Sequence, residues 1–96
     1  MYARIITANI QPEKSNEFPN AFSEMLLPDI SQERGFKGIY VMRDATQNKI
    51  TALVLWETEA DAQASIEGFQ RRRLPKMASF LAGQPTAETL EVVLRA

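Results

Sequence analysis

The chain has no cysteine and no histidine. Without cysteine there can be no disulfide and no thiolate metal site. Without histidine it lacks the most common general base and the most common metal ligand. It also lacks a charge bias. Eleven basic residues stand against 12 acidic ones, a net charge of −1, which gives no electrostatic footprint for nucleic acid or an anionic membrane. No window approaches the run of roughly 18 apolar residues that a membrane span needs. The opening "MYARIITANIQPEK" turns polar too soon for a secretion signal. These absences lead us to expect a cytoplasmic protein with no bound metal, no cofactor, no nucleic-acid partner and no membrane contact.

What is present is the composition of an ordinary globular protein, 45% apolar and 24% charged. Its 96 residues suit a single domain spanning 1–96. A chain of this size buries roughly 60–70% of its unfolded surface, enough for one core with little margin.

Residues 3–10, "ARIITANI", are rich in β-branched side chains and read as a first strand. After the polar, proline-bearing "QPEKSNEFPN", residues Phe18, Phe22, Met25 and Leu26 recur at helical spacing. Pro28 should kink or interrupt this helix, since it lacks an N–H and clashes with the preceding turn. Gly35 can take the left-handed conformation that often ends a helix. A strand over 36–43, the turn-rich "DATQNK" and a strand over 50–58 make a hairpin. Thr58 can cap a helix that begins with Glu59 and Asp61. Gly68 and Pro75 divide this second helical region, so "LPKMASFLA" reads as a separate short helix. "AETLEVVLR", 87–95, closes the chain as a fourth strand. The order β-α-β-β-α-β is that of a ferredoxin-like α+β fold, a four-stranded antiparallel sheet with its helices on one face.

Helices on one face leave the other face bare, yet the strands are apolar on both. Leu53 and Leu55 oppose Val54 and Trp56, and Ile5 opposes Ile6. A patch of this kind exceeds what soluble monomers usually expose. A second copy related by a two-fold axis is the simplest cover, so a homodimer through the sheet face is expected.

The strand "GFKGIYVMRD", the hairpin into "LVLWETEADAQAS", the broken second helix and the short last strand together resemble the antibiotic biosynthesis monooxygenase family, within the dimeric α+β barrel superfamily. The run Trp-Glu-Thr-Glu at 56–59 is the best local marker. The resemblance implies a dimer whose two sheets close into a barrel, with a pocket between sheet and helices in each subunit. It implies a range of activities. Some members oxidise polycyclic phenols to quinones with O₂, without metal or flavin; others degrade haem; many have no assigned reaction. Members often carry His nine or ten residues after the tryptophan. Here those positions are Ser65 and Ile66, which sets aside the haem-degrading branch.

On this reading the substrate is a small aromatic or quinol-like compound. Trp56, Phe22, Met25 and Phe69 are candidates to bind it. Asn9, Tyr40 and Arg43 are candidates to stabilise a developing oxyanion. Each has a plainer reading. Trp56 is a large core payload as readily as a stacking surface. Asn9 suits a strand end, where its side chain can form a turn. Tyr40 shares a face with Trp56 in one hairpin register and not in the other. "RRR" at 71–73 looks like an anion site, but the three cannot converge on one ligand if adjacent helical residues point about 100° apart; it reads as a solvated face, with one arginine reaching a pocket mouth or the partner subunit. The alternative to an enzyme is a non-catalytic dimeric module of the same fold that binds a small molecule or serves a structural role.

Overall fold

The structure, a computed structural model, describes residues 1–44, 46 and 48–96. Its strands are β1 (Tyr2–Asn9), β2 (Phe36–Asp44), β3 (Lys49–Trp56) and β4 (Thr86–Glu91). Its helices are α1 (Phe18–Met25), α2 (Leu27–Ile30), α3 (Glu59–Gly68) and α4 (Leu74–Met77). The strands form one antiparallel sheet in the order β2-β3-β1-β4, with the helices packed on one face. This is the expected ferredoxin-like α+β arrangement. Part of the "DATQNK" connection lies outside the described residues.

The alternation of β3 sets the layers. Ile50, Ala52, Val54 and Trp56 are buried under the helices, while Thr51, Leu53 and Leu55 are half-buried on the other side. Two apolar clusters fill the helix side. One joins Ile10, Phe18, Leu26, Ile50 and Met77; the other joins Ile30, Val54, Trp56 and Ala62. The bare side carries Ile5 opposite Leu53, and Leu90 opposite Ala3, in register across the middle strands.

The first helix breaks at Leu26, two residues before Pro28. Pro28 sits in the first turn of α2, where its missing N–H leaves no intrahelical bond unmade. Gly35 has φ +82, and a Cβ there would fall on the Asp61 carboxylate, so both backbone and space require glycine. Thr58 caps α3 as expected, its hydroxyl accepting from the Asp61 N–H at 3.1 Å. Thr58→Ala should lower stability by about 1 kcal/mol, read from the shift of a urea unfolding curve.

Two expectations need correction. The last strand ends at Glu91 rather than running to 95. The Val92 N–H still reaches the Met1 carbonyl at 2.9 Å, but Val93 and Leu94 project, 86% and 85% exposed. The arginine run is a solvated face only in part. Residues Phe69–Arg73 form a π-helical turn between α3 and α4, wider than an α-turn. Arg72 and Arg73 meet the same two carboxylates, Asp29 of α2 and Glu33 just after it. Arg71 and Arg72 are exposed, Arg71 pairing with Glu67, while Arg73 is buried.

Candidate functional site

The helix side of the sheet holds a small apolar cavity of about 30 Å³ between the two core clusters. Its floor is sheet, including Ile6 of β1 and Ala52 of β3. Its roof is Phe18 and Phe22 of α1, Phe69 at the end of α3, and Met77 of α4. The helical spacing of Phe18 and Phe22 sets both rings over the strands, 5.8 Å apart between centroids. Arg73 is the one charged residue along this wall.

A larger groove of about 210 Å³ lies beside it, between α1 and the helix-side face of β2. Phe22, Leu27, Ile39, Val41 and Ile50 supply its apolar walls, and Arg43 stands as the charged residue of its lining. Phe22, Ile39 and Ile50 border both spaces, so only side chains separate cavity from groove. Because β2 is an edge strand, this groove opens at the side of the sheet.

The guanidinium groups have different surroundings. Arg73 donates to Glu33 at 3.0 Å, to Asp29 at 3.4 Å and to the Ser65 carbonyl at 2.9 Å. Arg72 donates to both carboxylates, and the hydrogen bond and charge of Asp29 hold its guanidinium above the usual arginine range, with Glu33 adding to this. Arg4 lies on the helix-side face of β1 and donates to the Thr89 hydroxyl at 2.8 Å; burial lowers its pKa. Arg43 donates to the Ser15 carbonyl at 3.3 Å and makes no ion pair among the described residues.

The candidate residues from the sequence fall into three groups. Phe22, Phe69 and Arg43 border the cavity or the groove. Met25 lies outside both, on a shallow surface beside Phe18 and Phe80. Trp56 is 1% exposed and packs in the second core cluster, edge-on to Phe36 with ring centroids 5.9 Å apart, away from the cavity lining. Its indole N–H has no partner among the described residues. Asn9 and Tyr40 are on the opposite face of the sheet. Asn9 pairs with Lys49, and Tyr40 pairs with Leu53 and is 66% exposed. The register that separates Tyr40 from Trp56 is therefore the one adopted. Neither side chain can meet a ligand in the helix-side cavity of its own subunit.

That same register brings Ile39, Val41 and Ile50 to the groove, residues that the sequence reading did not single out. The signal that would have found them is the pairing of β2 with β3. At the two positions where the resemblance puts a histidine stand Ser65 and Ile66; Ser65 is buried and its hydroxyl donates to the Ala62 carbonyl at 2.7 Å. It is spent on the helix backbone.

The sequence profile of the antibiotic biosynthesis monooxygenase family matches residues 1–73. Among curated proteins none matches at a significant level. Solved structures share the fold. A protein of unknown function from Nitrosomonas europaea is 18% identical with a TM-score of 0.80, covering 99% of this chain and 91% of its own. A Bordetella bronchiseptica protein assigned as an antibiotic biosynthesis monooxygenase is 23% identical with a TM-score of 0.77, covering 97% of each chain. The heme-degrader MhuD from Mycobacterium tuberculosis, solved with two hemes bound in its active site, is 19% identical with a TM-score of 0.75, covering 100% of this chain and 99% of its own. At these identities the structural likeness carries the fold, and the profile carries the family. The chain belongs to the antibiotic biosynthesis monooxygenase family.

Proposed function

We propose that this protein is a homodimeric, cofactor-independent monooxygenase that oxidises a small aromatic or quinol-like compound in a pocket between sheet and helices. The observation that carries the reading is the adjacency of cavity and groove: two apolar spaces that share Phe22, Ile39 and Ile50 as walls, with Arg43 in the lining of the groove. Ring-bearing walls suit a flat substrate. An apolar space strips water from a phenolate and leaves it free to reduce O₂. Arg43 would favour the phenolate over the phenol, a task that needs no histidine. In the simplest such reaction a ring methylene beside the phenol takes one oxygen atom and becomes a carbonyl, and its two hydrogens leave with the second oxygen as water. Phe22 and Phe69 hold the ring. Trp56, Asn9 and Tyr40 take no direct part within the subunit.

Family membership supports the dimer, and so does the bare sheet face. Ile5, Leu53, Leu55 and Leu90 lie together on it, with Tyr40 and Met42 at its edge. At about 25 cal/mol per Å², covering several hundred Å² on each copy gives a gross gain of many kcal/mol before the costs of association. Light scattering at micromolar concentration should return twice the chain mass. Leu53→Asp with Leu55→Asp should return the monomer mass. A wild-type monomer would refute the arrangement.

Turnover is tested by aerobic incubation with a panel of anthrones and quinols, following quinone absorbance and O₂ consumption together. Substrate-dependent O₂ uptake that falls at least tenfold in Phe69→Ala, in a dimer of unchanged circular dichroism, supports the enzyme. The second reading, a binding module, is favoured by one observation: the chain has no histidine, and of the two positions where the resemblance puts one, Ser65 is bonded to its own helix and Ile66 is apolar. Quenching of Trp56 fluorescence by the same compounds without O₂ uptake selects that reading.

A further inference from the structure

We infer that the groove between α1 and β2 selects an aromatic compound that bears an anionic group, with its ring against Phe22, Ile39 and Ile50 and its anion on Arg43. The inference rests on the reading of the helix side as the ligand site and adds the ligand's charge. Three features point to it. First, the groove is the larger of the two adjacent spaces, at about 210 Å³, and its walls are almost wholly apolar, so a ring gains by entering. Second, Arg43 is the charged residue in that lining. It extends from β2 on the same face as Ile39 and Val41, and its Nη1 is held by the Ser15 carbonyl. That bond steadies the head and leaves further guanidinium donors for a carboxylate, phenolate or sulfonate.

The third feature is the absence of an internal counter-ion. Arg34, Arg71, Arg72 and Arg73 each pair with a carboxylate, whereas Arg4, Arg43 and Arg95 pair with none among the described residues, and of these three only Arg43 lines the groove. An arginine stem laid over apolar surface would explain the packing alone. It does not explain why Val41, beside it, stays 38% exposed next to an open groove. Since the groove is on the helix side, a dimer formed through the bare sheet face leaves it accessible.

The probes are anilinonaphthalene sulfonate and N-phenylnaphthylamine, the same ring system with and without a negative charge, followed by dye fluorescence with the full-length protein. The sulfonate should bind about tenfold more tightly than the neutral dye. Arg43→Met should remove that tenfold preference and leave the neutral dye's affinity within twofold, and Arg43→Lys should restore part of it. Raising salt should weaken the sulfonate alone. Val41→Trp, which fills the groove, should weaken both dyes by at least tenfold. Equal binding of the two dyes, or an Arg43→Met variant that still prefers the sulfonate, overturns the inference. If Val41→Trp nevertheless removes both dyes, the helix-side site stands without its charge preference. If Val41→Trp changes neither, the dyes bind elsewhere and both readings fall together.

Discussion

Replacing Asp29 by Asn and Glu33 by Gln together should destabilise the protein by about 3–5 kcal/mol, measured by urea unfolding. The reason is Arg73. Its side chain is 4% exposed, and these two carboxylates are its only ion-pair partners among the described residues. Taking both anions away leaves a permanently charged guanidinium out of water with neutral acceptors alone, the Ser65 carbonyl and the new amide oxygens. For a small domain whose whole stability is roughly 5–15 kcal/mol, that loss is a large share. The opposite substitution should be milder. In Arg73→Met the two carboxylates keep Arg72 and some contact with water, and an apolar chain of similar length fills the space. Combining Arg73→Met with the two neutralisations should recover most of what the neutralisations cost, because no buried charge remains. Additive losses in the triple variant, or an Arg73→Met as costly as the double neutralisation, would sink this account of the network. Gly68 belongs to the same device. A Cβ there would land on the Glu33 carboxylate, so Gly68→Ala should push the carboxylate off the arginines and share part of the penalty.

That network also shows where a sequence stops being readable. Three consecutive arginines on a regular α-turn fan out by about 100° each, and that reasoning is sound for an α-helix. The three do not converge here either, since Arg71 pairs with Glu67 while Arg72 and Arg73 share Asp29 and Glu33; what the pattern did not announce is the burial of Arg73 where residues 69–73 wind as a π-turn. No local pattern announces a π-turn. The acids were visible as residues, 39 to 44 positions earlier in the chain, but their meeting with the arginines depends on how two helical layers stack.

The sheet was legible for a different reason. The alternation Ile50, Ala52, Val54, Trp56 against Thr51, Leu53, Leu55 is a period of two with apolar residues in both phases, which marks a strand and sets its first phase under the helices. Which residues of β2 join each face was not legible, since a shift of one residue exchanges the faces. The observed pairing of Tyr40 with Leu53 moved the phenol to the bare side and brought Arg43, on the opposite phase, to the groove. Asn9 followed the same rule through its pairing with Lys49. Thus the residue types of the candidate site were visible early, and their division between two faces was a property of register. Met25 missed the cavity for a helical reason: it lies on the outer flank of α1, past the phase that Phe18 and Phe22 share.

Trp56→Ala should cost about 3–5 kcal/mol, the usual range for deleting a buried aromatic side chain. The side chain is among the largest fully buried ones, and its removal would empty the space between Ile30, Val54 and Ala62 and leave Phe36 without its edge-on partner. A loss of activity in that variant would therefore report a damaged core as readily as a missing ligand contact. Trp56→Phe separates the two. It keeps an aromatic ring against Phe36 and removes an indole N–H that is buried without a partner among the described residues, a group whose desolvation carries its own penalty. Its destabilisation should be less than half that of the alanine variant. Since Trp56 borders neither the cavity nor the groove, Trp56→Phe should also leave N-phenylnaphthylamine affinity within twofold of wild type. A folded Trp56→Phe dimer that lost dye binding by tenfold would return the indole to the ligand's side. The tryptophan that marks the resemblance in sequence is then a wedge between sheet and α3, and the ligand of the proposed function would sit in the neighbouring space that Phe22 and Phe69 line.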